Sequence, residues 1–167
     1  MGGLTPPERL GPRHRVEDFD SSEPDLDAWL RRRALANEVS GASRTFVVAR
    51  GDTVVGYYCL ATGAVALNAA TGRVRRNMPD PIPVVVIGRL AVDRRHARQG
   101  IGRGLMRDAI LRVLAAADLV GVRAILVHAK SEEARRFYIE TCGFSESPVD
   151  RMTLMVTLAD AVSALGL

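Results

Sequence analysis

Residues 84–92 form an almost unbroken apolar run, Val-Val-Val-Ile-Gly-Arg-Leu-Ala-Val, that leads into the turn Gln99-Gly100-Ile101-Gly102-Arg103-Gly104. A strand that is apolar on both faces needs cover on both, so this run belongs in the middle of a sheet. Beyond the turn, Leu105, Ile110, Leu111, Val113 and Leu114 recur at helical spacing until Ala117-Asp118. The alternation continues. Residues 122–128 read as a strand, Ser131 caps a helix running to Cys142-Gly143, 152–158 form another strand, and 159–165 a short terminal helix. Strand, helix, strand, helix marks an α/β fold with a mixed central sheet flanked by helices.

Upstream, residues 45–49 and 53–61 are rich in β-branched and aromatic side chains and flank Arg50-Gly51-Asp52, which predicts an antiparallel hairpin. Ser21-Ser22-Glu23-Pro24 starts a helix of about four turns carrying Leu26, Trp29, Leu30 and Leu35, which Ser40-Gly41 stops. A short edge strand is expected over 13–19. Residues 1–12, with Pro6, Pro7 and Pro12, read as a flexible N-terminal segment, leaving 13–167 as one domain. Residues 63–83 lack periodicity and include the basic, Pro-rich stretch 72–81, so they read as a loop. A loop of this length is more often functional or mobile than merely connecting.

No apolar run reaches the roughly 20 residues of a bilayer span, and the first residues lack a signal-peptide pattern, so a cytoplasmic chain without membrane contact is expected. Cys59 and Cys142 are too few for a disulfide scaffold or a four-ligand zinc site. His14, His96 and His128 have no metal-binding spacing, and no metal is expected. Net charge is +4, and of the 23 Lys and Arg residues only Lys130 is lysine. The distribution matters more than the sum. Arg73, Arg75, Arg76, Arg89, Arg94, Arg95, Arg98, Arg103 and Arg107 share their stretch with only Asp80 and Asp93, a local excess that suits an anionic partner. Arg31-Arg32-Arg33 reads equally as a solvated face or as a nucleic-acid contact.

Gly100, Gly102 and Gly104 stand between the central strand and a helix, where bare backbone and the helix's first amides can meet anionic oxygens. A tight strand–helix connection would look the same on the turn alone. A P-loop would need Gly-Lys-Ser/Thr, and a dinucleotide fold an early fingerprint followed by an acid; neither pattern fits. Residues 89–92 leading into Ala97-Arg98-Gln99-Gly100-Ile101-Gly102, joined by Ser131-Glu-Glu-Ala134-Arg-Arg-Phe137-Tyr138 and Cys142-Gly143-Phe144, resemble the GNAT superfamily of acyl-CoA N-acyltransferases. The resemblance implies a mixed sheet splayed between two central strands and acetyl-CoA as co-substrate. It places cofactor contacts on Leu90, Ala91, Val92, Arg98, Gln99, Gly100, Ile101, Gly102, Arg103, Gly104, Ser131 and Phe137. Tyr138 would be the catalytic acid that protonates the departing thiolate. Ser131 can equally serve only as a helix cap. Ala97 departs from the Gln or Arg that the family often carries three residues before the first glycine, so the turn's amides matter more than that side chain.

Further segments point within the superfamily: Asp27-Ala-Trp29-Leu30 with its arginines, residues 40–48, Val55-Gly-Tyr-Tyr58, Arg75-Arg-Asn-Met-Pro-Asp-Pro-Ile-Pro83 and Gly88-Arg-Leu-Ala-Val-Asp93. Together they resemble the TacT/AtaT group of toxin–antitoxin acetyltransferases, which acetylate the amino group of aminoacyl-tRNA and block translation. The resemblance implies aminoacyl-tRNA as substrate, a ribbon-helix-helix antitoxin and a homodimer. Arg32, Arg33, Arg75, Arg76, Arg94 and Arg95 are the residues expected on the tRNA phosphates. An ordinary GNAT enzyme acting on a small amine or a protein N-terminus is the alternative, as is a non-enzymatic acyl-CoA-binding member.

Overall fold

A computed structural model describes residues 3–167. Its elements are β1 (Glu8–Arg9), α1 (Pro24–Arg32), α2 (Ala34–Ser40), β2 (Arg44–Arg50), β3 (Thr53–Val65), α3 (Gly72–Arg75), β4 (Ile82–Val92), α4 (Ile101–Ala117), β5 (Ala124–His128), α5 (Glu132–Glu140), β6 (Ser145–Ser147), β7 (Asp150–Thr157) and α6 (Leu158–Leu165). Seven strands follow the order β1-β2-β3-β4-β5-β7-β6. The β4–β5 pair is parallel, whereas β2–β3, β5–β7 and β6–β7 are antiparallel, so the sheet is mixed as expected. The β4–β5 ladder covers residues 84–87 of β4, and residues 88–92 continue beyond it.

Residues up to Ala61 form one compact unit with Gly88–Asp108. Leu26, Leu30 and Ala34 recur every four residues and are all buried, so α1 and α2 lay one stripe on Tyr57 and Ala91. Burying a leucine such as Leu30 contributes roughly 2 kcal/mol. Tyr57 donates its hydroxyl to the Leu26 carbonyl at 2.7 Å, which satisfies a buried polar group and pins α1 to β3. Burial also holds the Tyr57 hydroxyl well above its ordinary pKa. Its neighbour Gly56 faces the other way: a Cβ there would stand 3.0 Å from Ile101 and 3.2 Å from Leu105 of α4.

Three expectations change in this unit. The single helix is broken at Arg33 (φ −122°, ψ −30°), although the buried stripe continues through Ala34, and Leu35 is exposed. No strand forms over 13–19; only Arg15 bridges Thr53, and the segment turns instead. Residues 1 and 2 of the expected flexible segment lie outside the described residues, but Glu8 and Arg9 pair with β2, and Leu10 is buried. The buried His14 fastens this segment, accepting from Gly11 N at 2.9 Å and meeting Glu8 Oε1 at 3.0 Å.

Thr62–Ile87 and Ala109–Leu167 form the second unit. The expected loop 63–83 is largely built: β3 extends to Val65, a 3-10 turn spans Leu67–Ala69, and Thr71 caps α3 by accepting from Val74 N. Val65, Ala70, Val74 and Ile82 are buried together with Met155. Their irregular spacing matches neither a helical nor a strand period, which hides them from a periodicity search. Strand β6 is also unexpected; its Ser-Glu-Ser stretch has no apolar alternation. Among the described residues no helix is long and apolar enough to cross a membrane.

Candidate active site and basic surfaces

In the first unit the path from β4 to α4 is fixed by one carboxylate. Asp93 is 1% exposed. It accepts from Asp20 N at 3.1 Å, Arg95 N at 2.9 Å, Arg95 Nε at 2.9 Å and Arg95 Nη2 at 2.8 Å. Burial raises its pKa, but the bonds from Arg95 and the two amides outweigh that and leave it at about 2. From local pattern alone Asp93 is a turn residue at most. Its acceptance from Arg95 is legible two residues on, whereas the contact with Asp20 has no local signal.

After a 3-10 turn over Arg94–His96, Arg98 (φ 61°) and Gly100 (φ 79°) both adopt left-handed backbone before α4 begins. Only glycine takes that geometry cheaply, so Arg98 holds an uncommon conformation beside the turn. Gly100 and Gly104 are exposed, and a Cβ at either would meet nothing within 4 Å. Gly104 N donates to Gly100 O at 3.0 Å, closing the first helical turn. The amides just before it, including those of Ile101, Gly102 and Arg103, are the ones a helix leaves without an internal partner. Gly104 therefore contributes a missing side chain rather than an amide. Gln99 is exposed, Ala91 is buried against α1, and Leu90 and Val92 are half-buried.

The second unit holds Ser131, Phe137 and Tyr138. Ser131 Oγ accepts from Ala134 N at 3.0 Å, so it caps α5. Tyr138 is 5% exposed and packs between Phe137 and Phe144, each ring centroid 5.6 Å away. Phe144 N donates to Tyr138 O at 3.1 Å, tying the helix to the chain that follows.

The six arginines expected on tRNA differ in their commitments. Arg94 bonds Asp20 at 2.6 Å, and Arg95 chelates Asp93. Arg32 and Arg33 are exposed at the end of α1, and Arg75 and Arg76 at the end of α3. Near α3, Arg73 makes a bidentate pair with Asp160 at 2.6 and 2.7 Å, and Arg123 donates to the carbonyls of Val74 and Arg73. Gly72, Arg73, Arg76 and Arg123 line an open cavity of about 670 Å³. Two further contacts have no sequence signal: Arg89 lies over the ring of Trp29 at 4.4 Å, and Tyr58 donates to Asp108. Among the described residues no three His, Cys, Asp or Glu side chains gather as a metal site.

A model of the acetyltransferase (GNAT) family matches residues 12–144. The chain is 52% identical over 166 residues to the tRNA-acetylating toxin of Mycobacterium tuberculosis (strain ATCC 25618 / H37Rv), covering 99% of both chains. It is similar in structure to AtaT complexed with acetyl-methionyl-tRNAfMet, with a TM-score of 0.87 and 26% identity over 99% of this chain and 100% of that one. A tyrosine-to-phenylalanine mutant of KacT has the same fold, with a TM-score of 0.88 at 23% identity over 96% of this chain and 98% of that one. The strand–turn–helix at Gly100, the mixed sheet and these matches lead to one conclusion: the chain belongs to the GNAT acetyltransferase family.

Proposed function

We propose that this protein moves the acetyl group of acetyl-CoA to the amino group of an aminoacyl-tRNA and so inhibits translation in the cytoplasm. The observation that carries this reading is the 52% identity, end to end, with a relative called a tRNA-acetylating toxin. On this reading the protein is a toxin that works as a homodimer and is held by a ribbon-helix-helix antitoxin.

The residues present suit acetyl-CoA. First-turn amides of α4, with bare and exposed backbone at Gly100 and Gly104, form a cradle for a pyrophosphate. Bound there, acetyl-CoA supplies an acetyl group activated as a thioester. Residues 88–92 of β4 extend past the β5 ladder and offer backbone partners to an extended arm. Tyr138 donates its hydroxyl proton to the departing sulfur as the new N–C bond forms and the C–S bond breaks. The proton shed by the amine restores the tyrosine, so protons balance. An α-amino group titrates near pH 7.7–8.0 in reference peptides, and the adjacent ester lowers that value, so no strong base is required. Arg32, Arg33, Arg75 and Arg76 take the tRNA phosphates.

Incubation with labelled acetyl-CoA and individually charged tRNAs tests the reading. Transfer to one or a few species is expected. Tyr138→Phe should lower kcat by about 100-fold or more while acetyl-CoA affinity stays unchanged. Transfer to a small amine or a protein N-terminus, with none to any charged tRNA, would overturn it.

A further inference from the structure

Within the first unit, Tyr57 bonds α1 while the adjacent Gly56 meets α4, so the two helices take opposite faces of β3. Arg89 and Ala91 are two apart on β4 and share a face, and Ala91 packs with Leu26 and Leu30 of α1. Arg89 thus stands on the α1 side, away from the face that carries α4. Its guanidinium carbon lies 4.4 Å from the Trp29 ring centroid, and Trp29 stacks on Tyr57 at 6.0 Å with the rings 10° apart. Its side chain also hydrogen-bonds the buried Cys59 thiol.

Both partners are neutral. Among the described residues no carboxylate pairs with Arg89, in contrast to Arg94 and Arg95. A half-buried arginine whose guanidinium lies over an indole keeps its planar fork oriented and its charge unneutralised. Such a group is built to receive an oxyanion in bidentate fashion. Arg32 follows Trp29 by three residues within α1, which puts it on the same side of the helix, and it is exposed, as is Arg33 just after the helix. A line of positive charge therefore begins at Arg89 and continues along α1.

We infer that Arg89, propped on Trp29, binds a phosphate of the acceptor nucleic acid. The contact rests on the tRNA reading above. Phosphate could also come from the coenzyme, but the coenzyme's cradle lies at α4, on the opposite face. Trp29 is then a positioning residue, since it orients the fork without touching the phosphate.

Steady-state acetylation by wild type, Arg89→Ala and Arg89→Lys separates the possibilities, using charged tRNA and a phosphate-free aminoacyl-adenosine as acceptors. Arg89→Ala should raise KM for charged tRNA about tenfold, with kcat little changed, and flatten the log–log salt dependence by about one unit. Its rate with aminoacyl-adenosine and its KM for acetyl-CoA should match wild type, which also shows that the variant is folded. Arg89→Lys keeps the charge but loses the fork and should fall between them. A raised KM for acetyl-CoA would assign the phosphate to the coenzyme and overturn the inference. Equal losses with both acceptors would make Arg89 a packing residue and also overturn it. If wild type acetylates no charged tRNA, the functional reading itself fails and takes the inference with it; if wild type does and Arg89→Ala is indistinguishable from it, only the inference fails.

Discussion

The connection from β4 to α4 and the connection from β3 to β4 are both rich in arginine, yet they are anchored differently. In the first, the buried Asp93 gathers Arg95 and two backbone amides, and Asp20 takes Arg94. In the second, the anchor is Arg73 on Asp160, a pair open to water, while Arg75 and Arg76 have no side-chain partner among the described residues. Arg94 and Arg95 are therefore tied to carboxylates that shape the first connection. The arginines at the end of α3 leave their hydrogen bonds to solvent, where the proposed reading gives them to phosphates. A count of arginines along the sequence overstates the charge available to a ligand.

The largest effect is expected from Asp93→Ala, which strips two amides and a guanidinium of their acceptor. It should lower unfolding stability in urea by about 3 kcal/mol. Because the folded pKa of about 2 lies below the ordinary value of about 3.9, Asp93 stabilises fully above pH about 4, and its contribution disappears as pH falls through about 2. Acid titration of the variant should lack that portion of the wild-type slope. Next in size, Arg75→Ala with Arg76→Ala should leave the melting temperature unchanged and weaken charged-tRNA binding about tenfold, flattening the salt dependence by about one to two units. The matching Arg94/Arg95 double variant should reverse the pattern, losing stability and little binding; equal binding losses in both would erase the distinction. The smallest effect belongs to Asp160→Asn, whose loss in the same urea assay should be several times less than at Asp93 and should disappear in about 1 M salt, because the pair is exposed.

Runs that are apolar on every residue or at regular spacing are readable in the sequence: the central strand, the hairpin at Gly51, α4, β5 and α5 all stand where expected. Gly41, at φ 84°, ends α2 as a left-handed cap, as Ser40-Gly41 implies. Elements held by sparse, distant contacts are not readable. Strand β1 exists because Glu8 and Arg9 find β2, and α3 because Val74 reaches a core shared with Met155. Among the candidate residues, the turn in the first unit and the buried Tyr138 in the second are each visible as local patterns. The pairing of Asp93 with Asp20 and of Arg89 with Trp29 joins residues far apart in the chain, and no spacing rule links them.

Gly56 has a reach beyond its own strand. Its missing side chain acts as a spacer of zero thickness that sets how deeply the first turns of α4 seat against β3, with Ile101 and Leu105 closing over it. The amides that begin α4 ride on that seating. Even one added methyl at Gly56 would shim the helix outward and lift its leading end, so on the proposed reading the grip on the coenzyme would be partly set by a residue that need never touch it.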